Sequence, residues 1–315
     1  MKLGILLTFY ILFLFHPNET FSQTKNTPLK GISNYNWINN EWEIRDSSLR
    51  TINENKQLLE YVIMNTKRNY ELDYDEKISY SYNENNNISE IKVDMNFGNK
   101  GLQNYQKGIY TYNSKYKKIK CEVHQWVETE IQFKKFYDTI FQYDKKGNLI
   151  SIKMTDNFDN FEYHYTYDKK KNKTSEITKD LFDSTKTKEF HYEYDQLKNL
   201  KRKIEINYWR DKKAFDTSLI ITNTFDKKNN IINTIFQYLD TTIANEKHVE
   251  AKFTYNENNN YIKYQAIIDY KEVLDLEFMN KYDSKNRLIE TIERYKNKET
   301  GDFENSIKSN YYYQD

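Results

Sequence analysis

Glycine, proline and cysteine are all scarce in this chain, at seven, two and one among 315 residues. The glycines after the N-terminal segment stand at 31, 98, 101, 108, 147 and 301, and none builds GxGxxG, GxxxxGK or GxSxG. A P-loop nucleotidase, a dinucleotide enzyme and an ordinary α/β-hydrolase therefore lose their signatures. Little glycine together with little proline excludes a collagen-like chain or a flexible low-complexity linker. The single cysteine, Cys121, rules out an intrachain disulfide. Charge of one sign is missing as well. Lys+Arg 48 against Asp+Glu 47 leaves a net charge of +1, so no global field draws nucleic acid or an anionic membrane.

Aromatic residues fill the space that glycine leaves. Tyr 29, Phe 18 and Trp 4 make the chain 16% aromatic, although its mean hydropathy is −0.98. Disordered chains are poor in aromatics, so disorder is excluded. A Tyr-rich, polar, Gly-poor composition points to many half-exposed β-strands. At the N-terminus, Lys2 precedes the apolar run Ile5–Phe15, which is too short to span a bilayer comfortably, and Pro17 ends it. Thr20 and Ser22 suit positions −3 and −1 of a cleavage site, which assigns residues 1–22 to a signal peptide. No cysteine follows to carry a lipid, and nothing after residue 23 reads as a transmembrane helix. The expected location is exported: extracellular, cell-surface or periplasmic.

Internal repetition decides the architecture. Tyr80-Ser81-Tyr82-Asn83-Glu84-Asn85-Asn86-Asn87-Ile88 aligns with Phe141-Gln142-Tyr143-Asp144-Lys145-Lys146-Gly147-Asn148-Leu149 and with Phe253-Thr254-Tyr255-Asn256-Glu257-Asn258-Asn259-Asn260-Tyr261. Anchors at 52, 82, 112, 143, 167, 194, 225, 255, 282 and 313 are spaced by 24–31 residues. Each part of the motif has a physical job. Aromatic-x-aromatic places two rings on one face of a strand. The Asp or Asn that follows bonds its own backbone and starts a turn. The position held by Gly147, Asn86, Asn229, Asn259 and Asn286 is where a left-handed residue is needed. An apolar residue then opens the return strand, so the unit is a β-hairpin.

A second aromatic falls 13–15 residues after each anchor from Tyr82 to Tyr282: Phe97, Trp126, Phe158, Phe182, Trp209, Tyr238, Tyr270 and Tyr295. The distance onward to the next anchor varies from 9 to 18. One edge of the sheet thus carries uniform turns and the opposite edge carries loops of different length. Specificity is expected on the variable edge.

The Tyr-Asp-x-x-Gly-Asn-Leu segment at 143–149 resembles the YD repeat of RHS-type secreted bacterial proteins, and looser copies cover residues 50–315. The resemblance implies a long antiparallel sheet used for surface display, adhesion or enclosing a cargo. The period here is nearer 29 than the roughly 20 of that family. The fold expected is all-β: repeated antiparallel β-hairpins forming one extended, coiled, solenoid-like sheet, with residues 23–50 as an N-terminal partial repeat that caps the edge and 51–315 as the repeat domain.

Chemistry is sparse. His124, His164, His191 and His248 lack ligand spacing, and no metal or other cofactor is expected. Asp144, Asp168, Asp195, Asp226 and Asp283 read as turn initiators in preference to a Ca²⁺ ladder. Cys121 and His124 lie three apart, on opposite faces of a strand, so they do not form a nucleophile–base pair. The candidate binding residues are Trp126, Trp209, Tyr238 and Tyr295, with Arg210 as a polar partner. Their bland account is cross-strand packing. The reading is a non-enzymatic exported repeat protein for surface interaction or adhesion, its partner an unknown protein or glycan at the cell surface. The alternatives are a glycan-binding module, a shell or carrier for a toxin or effector, and an exported glycosidase.

Overall fold

The computed structural model describes residues 29–66, 72–96, 101–155, 160–181, 186–209, 214–239, 248–257, 259–269 and 271–313. The expected signal segment 1–22 lies outside them. Twenty strands follow in chain order: β1 (Leu29–Ile38), β2 (Glu41–Ile52), β3 (Leu58–Thr66), β4 (Leu72–Tyr82), β5 (Ile88–Asn96), β6 (Leu102–Tyr112), β7 (Lys118–Val127), β8 (Gln132–Tyr143), β9 (Leu149–Thr155) and β10 (Asn160–Tyr167). The second ten are β11 (Lys173–Asp180), β12 (Lys186–Tyr194), β13 (Leu200–Trp209), β14 (Ala214–Phe225), β15 (Ile231–Tyr238), β16 (His248–Tyr255), β17 (Tyr261–Ile268), β18 (Lys271–Tyr282), β19 (Leu288–Lys296) and β20 (Phe303–Tyr313). Among the described residues the one helical segment is the 3-10 turn Glu128–Glu130.

Every repeat anchor read from the sequence is the last residue of an even-numbered strand, from Ile52 to Tyr313. The following turn is built in one way. At the nine turns from Asn53 to Asp283, the first turn residue donates its N–H to the carbonyl four residues on, and the fourth donates back to the first, as in Asp144/Asn148 (2.9 Å) and Gly147/Asp144 (3.0 Å). The carboxylate oxygen Oδ1 of Asp144 also accepts the N–H groups of Lys146 and Asn148, both at 2.8 Å. Its other oxygen takes the Asn148 side-chain amide at 2.8 Å. Those bonds, led by the Asn148 backbone N–H, hold the Asp144 carboxyl below the usual carboxylate range. The left-handed position expected from the sequence carries φ +83 at Gly147 and +60, +66, +67 and +59 at Asn86, Asn229, Asn259 and Asn286. Lys56, Tyr116, Lys171 and Lys198 occupy it elsewhere at +57 to +70.

The anchor hydroxyl ties one hairpin to the previous one. Tyr82 Oη donates to the Leu58 carbonyl at 2.8 Å, Tyr112 to Ile88 at 2.7 Å, Tyr167 to Leu149 at 2.8 Å and Tyr313 to Leu288 at 2.8 Å. Each acceptor is the first residue of a return strand. Phe225 has no hydroxyl, and there Asn223 Nδ2 donates to the equivalent carbonyl of Leu200 at 2.9 Å. At this hairpin the donor is kept although the residue type is not. An unpaired half-buried carbonyl costs free energy, which explains the replacement.

Successive strands pair in chain order within one 20-stranded sheet, with antiparallel registers such as Tyr80 opposite Ile91 and Ala251 opposite Ala266. β1 pairs with β2 on one side and with β20 on the other, Leu29 opposite Tyr313 and Asn36 opposite Ile307. The sheet closes into a 20-stranded antiparallel barrel. This corrects the expected open, coiled, solenoid-like sheet. An open sheet leaves a row of unpaired N–H and C=O groups at each end, and mutual pairing of β1 and β20 removes both rows.

The chain divides into two compact units. The first holds β1–β7, β8 to Phe136, residues 280–291 and 307–315. Its covered face carries Ile78, Tyr80, Ile91, Val93, Tyr110, Cys121 and Val123, all at 8% exposure or less. The alternate positions carry ion pairs, Lys77–Glu60 at 2.7 Å and Lys92–Asp94 at 3.0 Å. The second unit holds residues 137–279 and 292–306. Tyr137, Phe141, Ile152, Met154, Tyr165, Ala251 and Ala266 are its covered aromatic and aliphatic side chains. Each fully buried aliphatic side chain contributes about 2 kcal/mol.

Tyr167→Phe and Asn223→Leu should each lower unfolding free energy by about 1 kcal/mol, because each leaves a return-strand carbonyl without its donor. Urea denaturation measures this; unchanged midpoints in both variants would contradict the tie.

Candidate binding groove

At the edge opposite the uniform turns, aromatic pairs flank the connections. Trp37 and Trp42 meet edge to face at 4.8 Å across the β1–β2 turn. Trp126 meets Phe133 at 5.1 Å, on either side of the 3-10 turn. Tyr208 meets Phe215 at 4.9 Å beside the β13–β14 connection. Such pairs each add roughly 1 kcal/mol beyond area burial and hold a hairpin shut whatever its loop contains.

The candidate site residues divide accordingly. Trp126 is half-buried, and the Lys107 ammonium lies 4.9 Å from the centroid of its partner Phe133. Tyr238, the last residue of β15, is half-buried opposite Leu219. Trp209 ends β13 opposite Ala214. Arg210 lies outside the described residues. Tyr295, 38% exposed, is the one that enters a groove.

That groove, about 720 Å³, lies within the second unit between the start of β18 and the β19–β20 loop. Val273, Leu274 and Asp275 form one wall; Tyr295, Lys296, Asn297, Lys298, Glu299 and Gly301 form the other. The loop is braced from inside. Asn297 Oδ1 accepts the Glu299 N–H at 2.8 Å, the Gly301 N–H reaches the Asn297 carbonyl at 2.9 Å, and Asn297 N–H reaches the Asp302 carbonyl at 2.8 Å. Gly301, at φ +80, makes the left-handed step that lets the chain return.

Asp275 and the exposed Glu299 line the groove and Glu304 stands beside it; Glu304 and Asp275 are engaged. Glu304 accepts the Tyr295 hydroxyl on Oε2 and the Asn297 amide on Oε1, each at 2.5 Å. The Tyr295 bond, followed by that of Asn297, pulls the Glu304 carboxyl down, and the same contact raises the Tyr295 phenol. Asp275 is 5% exposed. Lys263 Nζ lies 3.2 Å from its Oδ1, and Gln265 Nε2 donates to its Oδ2 at 3.3 Å. The Lys263 and Arg294 cations then stand 5.9 and 5.8 Å from the Phe303 ring centroid. Nothing in the local sequence marks Asp275 or Glu304. Their roles come from pairings of β17 with β18 and from the β19–β20 hairpin, which spacing alone does not reveal.

Elsewhere, Cys121 is 1% exposed on the covered face, whereas His124 Nε2 sits 3.6 Å from Glu122 Oε2 on the charged face. Asp168, Asp195 and Asp226 each accept backbone N–H groups of their own turn on Oδ1 and an Asn amide on Oδ2. Among the described residues no cluster of three metal-ligating side chains occurs, and no helix is long and apolar enough to cross a membrane.

No family model and no curated protein matches the chain. Among solved structures it is similar to TcdB2-TccC3-TEV, with 12% identity, a TM-score of 0.40 and coverage of 82% of this chain and 15% of that one. It is also similar to a porin-like protein from Bacteroides uniformis, with 12% identity, a TM-score of 0.38 and coverage of 93% and 99%. A DUF3836 family protein from Bacteroides vulgatus matches with 20% identity and a TM-score of 0.21, over 30% of this chain and 87% of that one. The chain thus spans about 15% of the length of the TcdB2-TccC3 chain it matches.

Lys263→Met should destabilise the protein by about 2 kcal/mol, because it strips a buried carboxylate of its counter-charge while the lysine itself is partly screened by water. Adding Asp275→Leu should recover most of that loss. A double variant no more stable than the single one, by thermal unfolding, would contradict the pairing.

Proposed function

We propose that this chain is an exported, non-enzymatic β-hairpin barrel that holds a partner at the cell surface through its variable-loop edge. The observation that carries this reading is the difference between the two edges. One edge repeats a single turn nine times with the same internal bonds. The other bears the groove, with the exposed Tyr295 ring beside Leu274 and a braced loop. A uniform edge suits scaffolding, and a varied, rigidly supported edge suits recognition.

Binding is favoured over catalysis by the state of the carboxylates. A glycosidase needs one carboxyl that keeps its proton and one free to attack or to activate water. Glu304 has both oxygens bonded and its carboxyl pulled down, and Asp275 meets Lys263 and Gln265, which leaves Glu299 as the one lining carboxylate not so engaged where the reaction needs two. An aqueous setting is favoured over lipid by the faces of the first unit. Its apolar face is covered, while its other face carries mid-strand Lys and Glu, the reverse of what a lipid-facing strand requires. Export itself rests on the N-terminal sequence. The second reading, a glycan-binding module, draws on Tyr295, whose ring is exposed and fixed through its hydroxyl.

The test uses the full chain, purified and fluorescently labelled, on intact producing cells. A variant carrying Tyr295→Ala with residues 297–301 replaced by an Asn-Gly turn should bind about tenfold more weakly. A turn-edge variant, Lys171→Gly, should bind like the parent. No cell binding by folded protein would overturn the reading, as would glycoside hydrolysis that Asp275→Asn abolishes.

A further inference from the structure

The uniform edge contains one departure from its own rule. In the turn 113–117 of the first unit, the left-handed position is filled by Tyr116, at φ +57 and 60% exposed. A side chain with a Cβ is strained there, and a ring so far exposed gains little from burial to offset it. Five sister turns hold Gly or Asn, which fit the position, and the remaining three hold Lys, whose charged end is at home in water. Strain of this kind, kept at an exposed aromatic, points to a role outside folding.

Tyr116 borders a groove of about 470 Å³ between its own turn and the neighbouring turn 83–87. Asn83, Asn85, Ser89, Thr111 and Ser114 contribute to the lining, and no charged side chain does. The two Asn residues that open these turns also differ from the Asp residues of later turns. Oδ1 of Asn83 accepts the N–H groups of Asn85 and Asn87, and Oδ1 of Asn113 accepts those of Lys115 and Lys117. In four later turns the second oxygen is an acceptor satisfied by an Asn amide, as at Asp144 and Asp168. In Asn83 and Asn113 that place is an NH₂ donor, and among the described residues it donates to nothing. The Tyr112 hydroxyl is committed to the Ile88 carbonyl at 2.7 Å, which fixes the floor between the turns.

We infer that this groove is a binding subsite for an uncharged pyranose unit of a polysaccharide. The exposed Tyr116 ring offers a flat apolar face to the C–H side of the sugar. Free amide donors and the Ser89, Thr111 and Ser114 hydroxyls match a ring of sugar hydroxyls that both donate and accept. The lining itself is uncharged, which suits a neutral sugar. The subsite stands on the turn edge and rests on its own geometry, independent of the variable-edge reading. Its variants therefore report separately from those of Tyr295 and the 297–301 loop.

Affinity gel electrophoresis of the full chain in laminarin, amylopectin, galactomannan and xylan tests the assignment, with heparin as the charged comparator. At least one neutral polysaccharide should retard the parent. Tyr116→Ala and Tyr116→Gly should weaken that retardation about tenfold, and Tyr116→Phe should leave it within about twofold. Tyr116→Gly should also raise Tm, so lost binding cannot be assigned to lost folding. Lys171→Gly should raise Tm without changing retardation, and Tyr295→Ala should leave retardation unchanged. The subsite is overturned if no neutral polysaccharide retards the folded chain, if only heparin does, or if retardation survives Tyr116→Gly.

Discussion

A β-sheet satisfies its backbone only from within, and its first and last strands are left with one bare side each. In this chain those two strands are β1 and β20, and they pair with each other from Leu29/Tyr313 to Asn36/Ile307. Ser309 Oγ donates to Asn34 Oδ1 at 2.6 Å across the same seam, between residues 275 apart in sequence. Everything else is local by comparison. Each hairpin pairs with the next, each turn bonds within itself, and the anchors Tyr82, Tyr112, Tyr167 and Tyr313 reach back one hairpin. The seam is the long-range pairing that turns a row of such units into a closed object without a sheet edge open to another chain.

Closure explains the division of labour between the two edges. The turn edge is where the repeat is strict, because the opening Asp or Asn and the left-handed residue together close the bend with the same internal hydrogen bonds each time. Tyr167 reaches Leu149, Asp168 closes its own turn, and Lys171 takes the left-handed step. Where one part is missing, another donor supplies it, as Asn223 does for Phe225. The opposite edge is held by aromatic pairs such as Trp126–Phe133 and Tyr208–Phe215. Those pairs leave the connection free to vary in length. Variation there costs the sheet little, and the 720 Å³ groove lies on that side.

Much of this was legible in the residues. Tyr82, Tyr112 and Tyr143 are strand ends because an aromatic followed by Asn or Asp is a local signal with a local cause. The left-handed geometry at Asn86, Asn229, Asn259, Asn286 and Gly147 follows for the same reason. Lys56, Tyr116, Lys171 and Lys198 were not legible, since no propensity favours them there and the surrounding turn imposes the conformation. Closure was not legible either. A repeat period counts hairpins, and nothing in the composition of Leu29–Asn36 names Ile307–Tyr313 as its partner. Among the candidate site residues, the aromatic spacing located the variable edge but did not separate Trp126, paired with Phe133, from Tyr295, exposed in the groove. That separation depends on which strand end has a neighbouring ring, which is a property of the pairing.

The aromatic wealth of a Gly-poor chain has a common source in these roles: anchors at the turn edge, clasps at the loop edge, and covered rings such as Tyr80 and Tyr165 between them. All of them presuppose the closed sheet, so the seam is the place to test it. Asn34 and Ser309 lie directly opposite each other on β1 and β20, with their side chains in contact. With Cys121→Ala removing the buried native thiol, Asn34→Cys combined with Ser309→Cys should oxidise to an intramolecular disulfide. The product should be a faster-migrating monomer on a non-reducing gel, with native circular dichroism. Free thiols that persist under oxidation, or disulfides formed only between chains, would show that the two strands do not meet and that the sheet is open.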